Sequence, residues 1–229
     1  MTRTSVYGGA MLAFTASAAM TVAATLIPNW VYYVMYPTAD GSDPYWMSLG
    51  LHKSCTSENT APPLFLTDTS PASPLTSAYS SAGSGATCRS FPHRSWDCGA
   101  EPSQQVFCTV WRTIGFLMAV ALVAEVVALI GFLVVLCGGR MRRDFGWRVL
   151  VPLVEAVALL QLGAMALVTY LLDHDDRFLV PGWHLGTSWT LCTVSWSLAA
   201  LCGLGLALAA YVLPPEDGYE LLLNPGESP

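Results

Sequence analysis

Residues 113–137 run TIGFLMAVALVAEVVALIGFLVVLC, an apolar segment with no Lys, Arg or Asp and one acid, Glu125. A helix needs about 20 apolar residues to cross the roughly 30 Å of hydrocarbon in a bilayer. The segment is long enough to do so. Three further apolar segments of this kind run approximately over 7–27, 149–172 and 188–213. The sequence therefore predicts an all-α membrane protein with four transmembrane helices.

The composition supports this class. Charged residues make up 11% of the 229 positions, against about a quarter in soluble proteins, and 53% are apolar. A soluble fold would have to bury all four segments. The net charge of −6 argues against nucleic acid as a partner. The sequence has no Gly-rich phosphate loop, nucleophile elbow or metal-binding His pair, so we expect no enzyme activity, no cofactor and no metal.

The placement of arginine predicts the orientation. Segment 138–148 contains four arginines against one acid, whereas 173–187 contains three aspartates against one arginine. The positive-inside rule places 138–148 in the cytoplasm. The predicted order is then cytoplasmic N-terminus 1–6, span 7–27, outer loop 28–112, span 113–137, cytoplasmic loop 138–148, span 149–172, outer loop 173–187, span 188–213 and cytoplasmic tail 214–229.

The first span has a competing interpretation as a cleaved signal peptide, because it follows Arg3 and contains small-residue sites suited to cleavage. We favour a retained helix, since the apolar region is longer than a usual signal core. It also carries a small residue at every fourth position, which lets another helix approach closely in lipid. These residues are Gly9, Ala13, Ser17, Thr21 and Thr25.

The first outer loop has internal organisation. Val31–Tyr36 and Tyr45–Leu51 are rich in β-branched and aromatic residues and flank a segment of turn composition, which predicts a β-hairpin. Residues 56–87 are rich in Ser, Thr and Pro and almost uncharged. We expect this insert to be disordered, either as an O-glycosylated segment or as a plain flexible one.

The same loop contains four cysteines, Cys55, Cys88, Cys98 and Cys108. An even number in an oxidising compartment predicts two disulfides. Three connectivities are open to them, of which we prefer Cys55 with Cys88 and Cys98 with Cys108. A zinc site is the alternative, but the spacing lacks the CxxC pairs that such sites favour.

The loop carries a recognisable order of residues: Trp30 soon after the first span, then Gly50, Leu51 and Cys55, with Arg112 at the start of the second span. In this order the chain resembles the claudin and peripheral-myelin-protein-like tetraspan superfamily. That family has a tryptophan, a Gly-Leu-Trp, a disulfide-forming cysteine pair and an arginine at the mouth of the second helix. The loop is more similar to fungal claudin-like membrane proteins than to animal junction proteins.

The chain departs from the family pattern at two points. His52 stands where the family has tryptophan, and Cys88 lies far beyond the usual short cysteine spacing, which the Cys98–Cys108 interval resembles instead. The resemblance implies a left-handed four-helix bundle capped by a small extracellular antiparallel sheet. It also implies that Arg112 braces the sheet against the bundle, and we expect Val106–Cys108 to form a strand leading into the second helix.

Three polar residues fall inside the predicted spans: Glu125, Glu155 and Gln161. Glu125 and Gln161 lie near the midpoints of their spans, so we expect them to hydrogen-bond across a helix pair. A carboxylate near the bilayer centre is costly and is normally neutral or paired. We favour a neutral Glu that joins two helices over an ion or proton path, because no span contains a basic residue.

Two short acidic segments suggest further contacts. Tyr219 and Leu222 in the tail fit a tyrosine-based sorting motif, in which an extended peptide binds a sorting adaptor.

The segment Asp173–Asp176 is a weaker candidate for binding a divalent cation, since such acidic runs are usually only solvated.

Two functions remain open. The first is a non-catalytic organiser of plasma-membrane domains or cell-surface contacts, with membrane lipids, other membrane proteins or a second copy of itself as partners. The alternative is a regulatory subunit or component of a cation channel, supported by Glu125 and the segment Asp173–Asp176. We expect a multi-pass protein of the plasma membrane, with endosomal or vacuolar trafficking as a further location.

Overall fold

The computed structural model describes residues 3–36, 44–57, 86–93, 97–99, 101–138 and 140–212. Most of the predicted disordered insert and the predicted sorting motif, Tyr219 and Leu222, lie outside the described residues. The described chain is mostly helical and contains one small antiparallel sheet.

Four long helices account for most of the structure: α1 (Arg3–Leu26), α2 (Pro102–Cys137), α3 (Arg140–His174) and α4 (Thr187–Val212). Each is long and apolar enough to cross a membrane. Large apolar side chains such as Leu12, Phe116 and Leu201 are exposed on them, as expected of helices whose outer faces meet hydrocarbon. The prediction of a multi-pass integral membrane protein is confirmed at this level.

Helices α1, α2 and α3 are longer than the predicted spans, and α4 has the predicted length. α2 begins at Pro102, a residue that suits a first helical turn because its missing N–H needs no partner there. The predicted strand at Val106–Cys108 is therefore wrong, since these residues are helical, and Arg112 lies in the third turn of α2 rather than at its start. α3 likewise begins at Arg140, so most of the segment predicted as a cytoplasmic loop is helical.

The sheet has five antiparallel strands in the order β4-β3-β2-β1-β5. They are β1 (Val31–Met35), β2 (Tyr45–Leu49), β3 (Lys53–Ser57), β4 (Ala86–Ser90) and β5 (Trp183–Leu185). The predicted hairpin is confirmed, because Val31 of β1 pairs with Leu49 of β2, and Met35 pairs with Tyr45.

The other strands extend the sheet beyond that hairpin. β3 and β4 take in the two ends of the predicted insert, and Thr56 pairs with Thr87. The predicted disordered range 56–87 is therefore too wide at both ends. β5 comes from the segment predicted as a plain outer loop, and its Trp183 pairs with Tyr33 of β1.

The described residues form two compact units. The first, called here the helical unit, comprises the described parts of 1–22, 117–163 and 192–229. The second, called the sheet unit, comprises the described parts of 23–116 and 164–191 and contains all five strands.

The helical unit packs large apolar side chains on small residues. The rings of Phe14 and Phe132, both fully buried, lie 5.8 Å apart between centroids. Helices α1 and α4 approach closely, because the hydroxyl of Ser17 donates to the main-chain carbonyl of Ser195 at 2.9 Å. Of the small-residue row on α1, Ser17 and Thr21 are fully buried, so the row serves close packing in its middle part.

The sheet unit has an aromatic core. Its members stack or meet edge to face, with ring centroids 5.1 to 6.2 Å apart. They are Tyr33, Trp183, Phe178, Phe107, Trp111 and Phe91. Such pairs add roughly 0.5–1.5 kcal/mol each beyond the burial of their area, so the sheet, the N-terminal part of α2 and the segment before β5 are held together within the sheet unit.

Candidate functional site

A cluster of polar side chains lies inside the helical unit, one or two from each helix. Its members are Ser17 and Thr21 of α1, Glu125 of α2, Gln161 of α3 and Ser195 of α4, and all are buried. We call this set the polar cluster. Burial of so many polar groups is tolerated only where they bond to one another.

Glu125 and Gln161 are joined, as their equal depth predicts. The amide Nε2 of Gln161 donates to Glu125 Oε1 at 2.7 Å and to Thr21 Oγ1 at 2.8 Å. Thr21 Oγ1 donates to the same carboxyl oxygen at 2.6 Å. Three helices are therefore bonded through a single carboxyl oxygen and its two donors.

Helix α4 contributes Ser195 to the polar cluster. Ser195 Oγ lies 2.7 Å from Thr21 Oγ1 and 3.0 Å from Ser17 Oγ. Ser17 and Ser195 also donate reciprocally to each other's main-chain carbonyls, each at 2.9 Å. The sequence pattern predicts Ser17 and Thr21 only as members of the small-residue row and predicts no role for Ser195. The hydroxyl groups of these residues are the signal in the sequence for their place in the cluster.

Two oxygens of the polar cluster are buried without a partner among the described residues: Glu125 Oε2 and Gln161 Oε1. The remaining oxygen of the pair, Glu125 Oε1, accepts two hydrogen bonds. An unsatisfied buried acceptor costs about 1–3 kcal/mol, so this pair marks the position at which the cluster is incomplete.

Glu155 lies apart from the polar cluster. Its Oε1 is buried without a partner among the described residues and packs against Gly203 of α4. A methyl group at that glycine would collide with the carboxyl group. The third predicted intramembrane polar residue thus fills a notch between α3 and α4.

The residues that carry the family resemblance lie together in the sheet unit. Trp30 is fully buried, and its indole Nε1 donates to the carbonyl of Ala24 at 2.8 Å. Leu51 and Cys55 are buried as well. Gly50 packs closely on Pro28. A Cβ added at residue 50 would lie 2.5 Å from the Cα of Pro28, which explains why residue 50 is a glycine.

The four loop cysteines form two disulfides, Cys55–Cys88 and Cys98–Cys108. This is the connectivity that we preferred from the sequence. Cys55 and Cys88 are directly opposite in the β3–β4 register, so the bond closes the base of the insert. Cys108 lies on α2, so the second bond ties the segment before α2 to that helix.

The family resemblance predicts that Arg112 braces the sheet. Its side chain is exposed, and within the part of the chain that the structure describes it forms no hydrogen bond or ion pair. The adjacent Trp111 joins α2 to the sheet instead: it is fully buried, and its Nε1 donates to the carbonyl of Gly50 at 3.2 Å.

A second brace comes from Arg177, which the sequence analysis did not single out. Its Nη2 donates to the main-chain carbonyl of Asp97 at 2.6 Å, and its guanidinium lies 4.3 Å from the ring centroid of Phe107. Burial lowers the pKa of Arg177, while Asp175 and Asp97 act to raise it. The carboxylate of Asp97 is itself held by both terminal nitrogens of Arg89, at 2.8 and 3.0 Å.

Apolar side chains are exposed where β1 ends and in the segment that precedes β5. Because β1 and β5 are antiparallel, the chain leaves β1 after Tyr33 at the end of the sheet where it enters β5 at Trp183. The exposed apolar residues of these two segments are Met35, Tyr36, Leu179 and Val180, with Tyr36 78% and Leu179 73% exposed. We call this set the apolar tip.

The segment Asp173–Asp176, predicted as a weak candidate for cation binding, contains a residue that caps a short helix. Asp175 accepts a hydrogen bond from the main-chain N–H of Arg177 and caps a short 3-10 helix, Asp176–Phe178. Within the described ranges, no group of three or more His, Cys, Asp and Glu side chains is arranged to hold a metal ion.

No family model matches the chain, and no curated protein matches it with significant similarity.

Proposed function

We propose that this chain is a non-catalytic integral membrane protein that organises plasma-membrane domains or cell-surface contacts. In this proposal the sheet unit lies outside the cell and meets partner membrane proteins. The helices cross the bilayer with both termini in the cytoplasm, as the arginines of 138–148 favour. The resemblance to claudin-like tetraspan proteins supports the same role.

The observation that carries the proposal is the braced sheet with its apolar tip. Two disulfides, the Arg177 contacts and an aromatic core hold the sheet unit rigid. A rigid surface that exposes Tyr36 and Leu179 can bind a partner without losing much conformational entropy. Exposed apolar patches on a protein surface are typical of protein interaction sites.

The cation-channel alternative requires an ion to reach Glu125. That side chain is 1% exposed, and its Oε1 accepts from both Thr21 and Gln161. These contacts support a structural role for the carboxyl group, and we therefore place the organiser first.

The apolar tip gives a direct test. The double substitution Tyr36→Ser with Leu179→Ser removes exposed apolar surface and leaves the aromatic core intact. Lys53→Ser, an exposed position on β3, is the matched control. We expect the double variant to reach the cell surface but to lose lateral clustering and proximity labelling of its neighbours. The control should keep both, and a double variant that clusters as the wild type does would count against the proposal.

A second experiment separates the two functions. Glu125→Gln keeps the shape of the side chain and removes its capacity to carry charge. An organiser should keep its surface clustering and give unchanged whole-cell cation currents. A change in current with unchanged clustering would favour the channel alternative.

A further inference from the structure

We propose that Glu125 binds one proton, and that this proton joins its carboxyl group to the amide of Gln161 as a neutral pair. The proton is then a ligand of the polar cluster, and the packing of the four helices in the helical unit depends on it. This inference goes beyond the proposed function and stands on the geometry of the cluster alone.

The first step is a count of donors. A glutamine amide has two N–H groups, and those of Gln161 are committed to Thr21 Oγ1 and Glu125 Oε1. Thr21 has one hydroxyl hydrogen, and its acceptors are Glu125 Oε1, the carbonyl of Ser17 and the hydroxyl of Ser195. The hydroxyls of Ser17 and Ser195 bond to each other and to each other's carbonyls. No donor of the polar cluster points at Glu125 Oε2 or Gln161 Oε1.

The second step is the absence of a counter-charge. None of the segments 7–27, 113–137, 149–172 and 188–213 contains Lys, Arg or His. The groups that face the carboxyl are the hydroxyl of Thr21 on α1 and the amide of Gln161 on α3. Cys192 on α4 is also buried, and as a thiol it carries no charge. A carboxylate here would have hydrogen bonds to one oxygen only and no cation beside it.

One added proton would give a hydrogen-bond partner to both Glu125 Oε2 and Gln161 Oε1. A carboxylic acid has one carbonyl acceptor and one O–H donor, and a primary amide has the complementary N–H donor and carbonyl acceptor. Side by side they form two hydrogen bonds, of which Nε2–H to Glu125 Oε1 is present at 2.7 Å. With a proton on Glu125 Oε2, the acid donates to Gln161 Oε1, and both buried oxygens gain a partner. With a carboxylate, Glu125 Oε2 and Gln161 Oε1 are both buried acceptors that no described donor reaches.

The proton therefore has a structural consequence. When the acid releases it to water, a negative charge remains in the apolar interior, and one hydrogen bond between α2 and α3 is lost. The helical unit should loosen under conditions that deprotonate Glu125. Glu125→Gln removes this dependence, because a glutamine at that position donates an N–H to Gln161 Oε1 without carrying a charge.

Infrared difference spectroscopy of the purified full chain in lipid nanodiscs tests the proposal. We expect a carbonyl stretch of a protonated carboxylic acid near neutral pH that is absent in Glu125→Gln, retained in Glu155→Gln, and shifted in Gln161→Leu. If Glu125→Gln fails to fold, Glu125→Asp is used, and its acid band should move rather than disappear.

Two results would overturn it. The first is a wild-type spectrum near neutral pH in which no acid band depends on residue 125. The second is protection against thermal unfolding by sodium ions that Glu125→Gln abolishes, which would make the ligand a metal cation. The first result leaves the proposed function standing, because the infrared measurement is independent of partner binding. The second would favour the cation-channel alternative over the organiser, and the clustering of the apolar-tip variant tests the organiser separately.

Discussion

The family resemblance and the structure assign the brace of the sheet unit to different arginines. The family resemblance assigns this role to Arg112, whereas Arg177 makes the contacts, to the Asp97 carbonyl and the Phe107 ring. We predict that Arg177→Ala destabilises the protein strongly and that Arg112→Ala does not. Arg177→Lys should lie between them, because an ammonium keeps the charge but lacks the planar group that stacks on Phe107.

The magnitude follows from the contacts. A hydrogen bond from a charged donor contributes about 1.5–3 kcal/mol, and a partly buried cation–π contact contributes about 0.5–2 kcal/mol. Burial lowers the pKa of Arg177, so desolvation of the guanidinium offsets part of this gain. We expect Arg177→Ala to lower the free energy of unfolding by about 2–3 kcal/mol, and Arg112→Ala to change it by less than about 0.5 kcal/mol.

Thermal unfolding of the oxidised protein in detergent, followed by tryptophan fluorescence, measures this difference. At about 2–4 °C per kcal/mol for a chain of this length, Arg177→Ala should lower Tm by about 4–12 °C and Arg112→Ala by less than about 2 °C. A larger loss in Arg112→Ala than in Arg177→Ala would refute the assignment of the brace.

Two further predictions concern packing and pH. Gly203→Ala places a methyl group against the Glu155 carboxyl, whereas the Cβ added by Gly205→Ala has no atom within 4 Å. Both changes gain the same helix propensity, so Gly203→Ala should be less stable than Gly205→Ala by about 1 kcal/mol in the same unfolding assay. Equal effects of the two would show that the notch is not filled. Burial, with a smaller effect of Tyr33, raises the pKa of the Tyr45 phenol. The unfolded phenol ionises first, so the free energy of unfolding should fall as pH rises above about 10, and Tyr45→Phe should make that fall shallower. An identical decline in both proteins would exclude Tyr45 as its source.

The four helices and the first hairpin were accessible from the sequence because each depends on local composition. Residues 113–137 have only one charged side chain, and Val31–Tyr36 and Tyr45–Leu51 are rich in β-branched and aromatic residues and flank a segment of turn composition. Signals of this kind lie within a single segment, so they need no knowledge of distant contacts.

Other elements depend on contacts that a single segment does not reveal. β5 has three residues, too few for a recognisable alternation, and it forms only because β1 offers an edge to Trp183–Leu185. Val106–Cys108 has strand composition but continues a helix that begins at Pro102, and there helix propagation overrides local preference.

The candidate site shows the same division. Glu125 and Gln161 were paired in advance because depth in the membrane is a one-dimensional quantity that the sequence supplies. The hydroxyls of Thr21 and Ser195 also lie in predicted spans, but which face each helix turns inward follows from packing. Arg177 gave no signal, because its partners lie in distant segments and one of them is a main-chain carbonyl.

Non-reducing mass spectrometry of the protein purified from its native membrane tests most directly whether the sheet unit is a disulfide-braced domain in an oxidising compartment. We predict peptides linked through Cys55–Cys88 and Cys98–Cys108. Cys137, Cys192 and Cys202 should be outside any disulfide. Four free thiols at the loop cysteines would contradict both the outside placement and the claudin-like organiser.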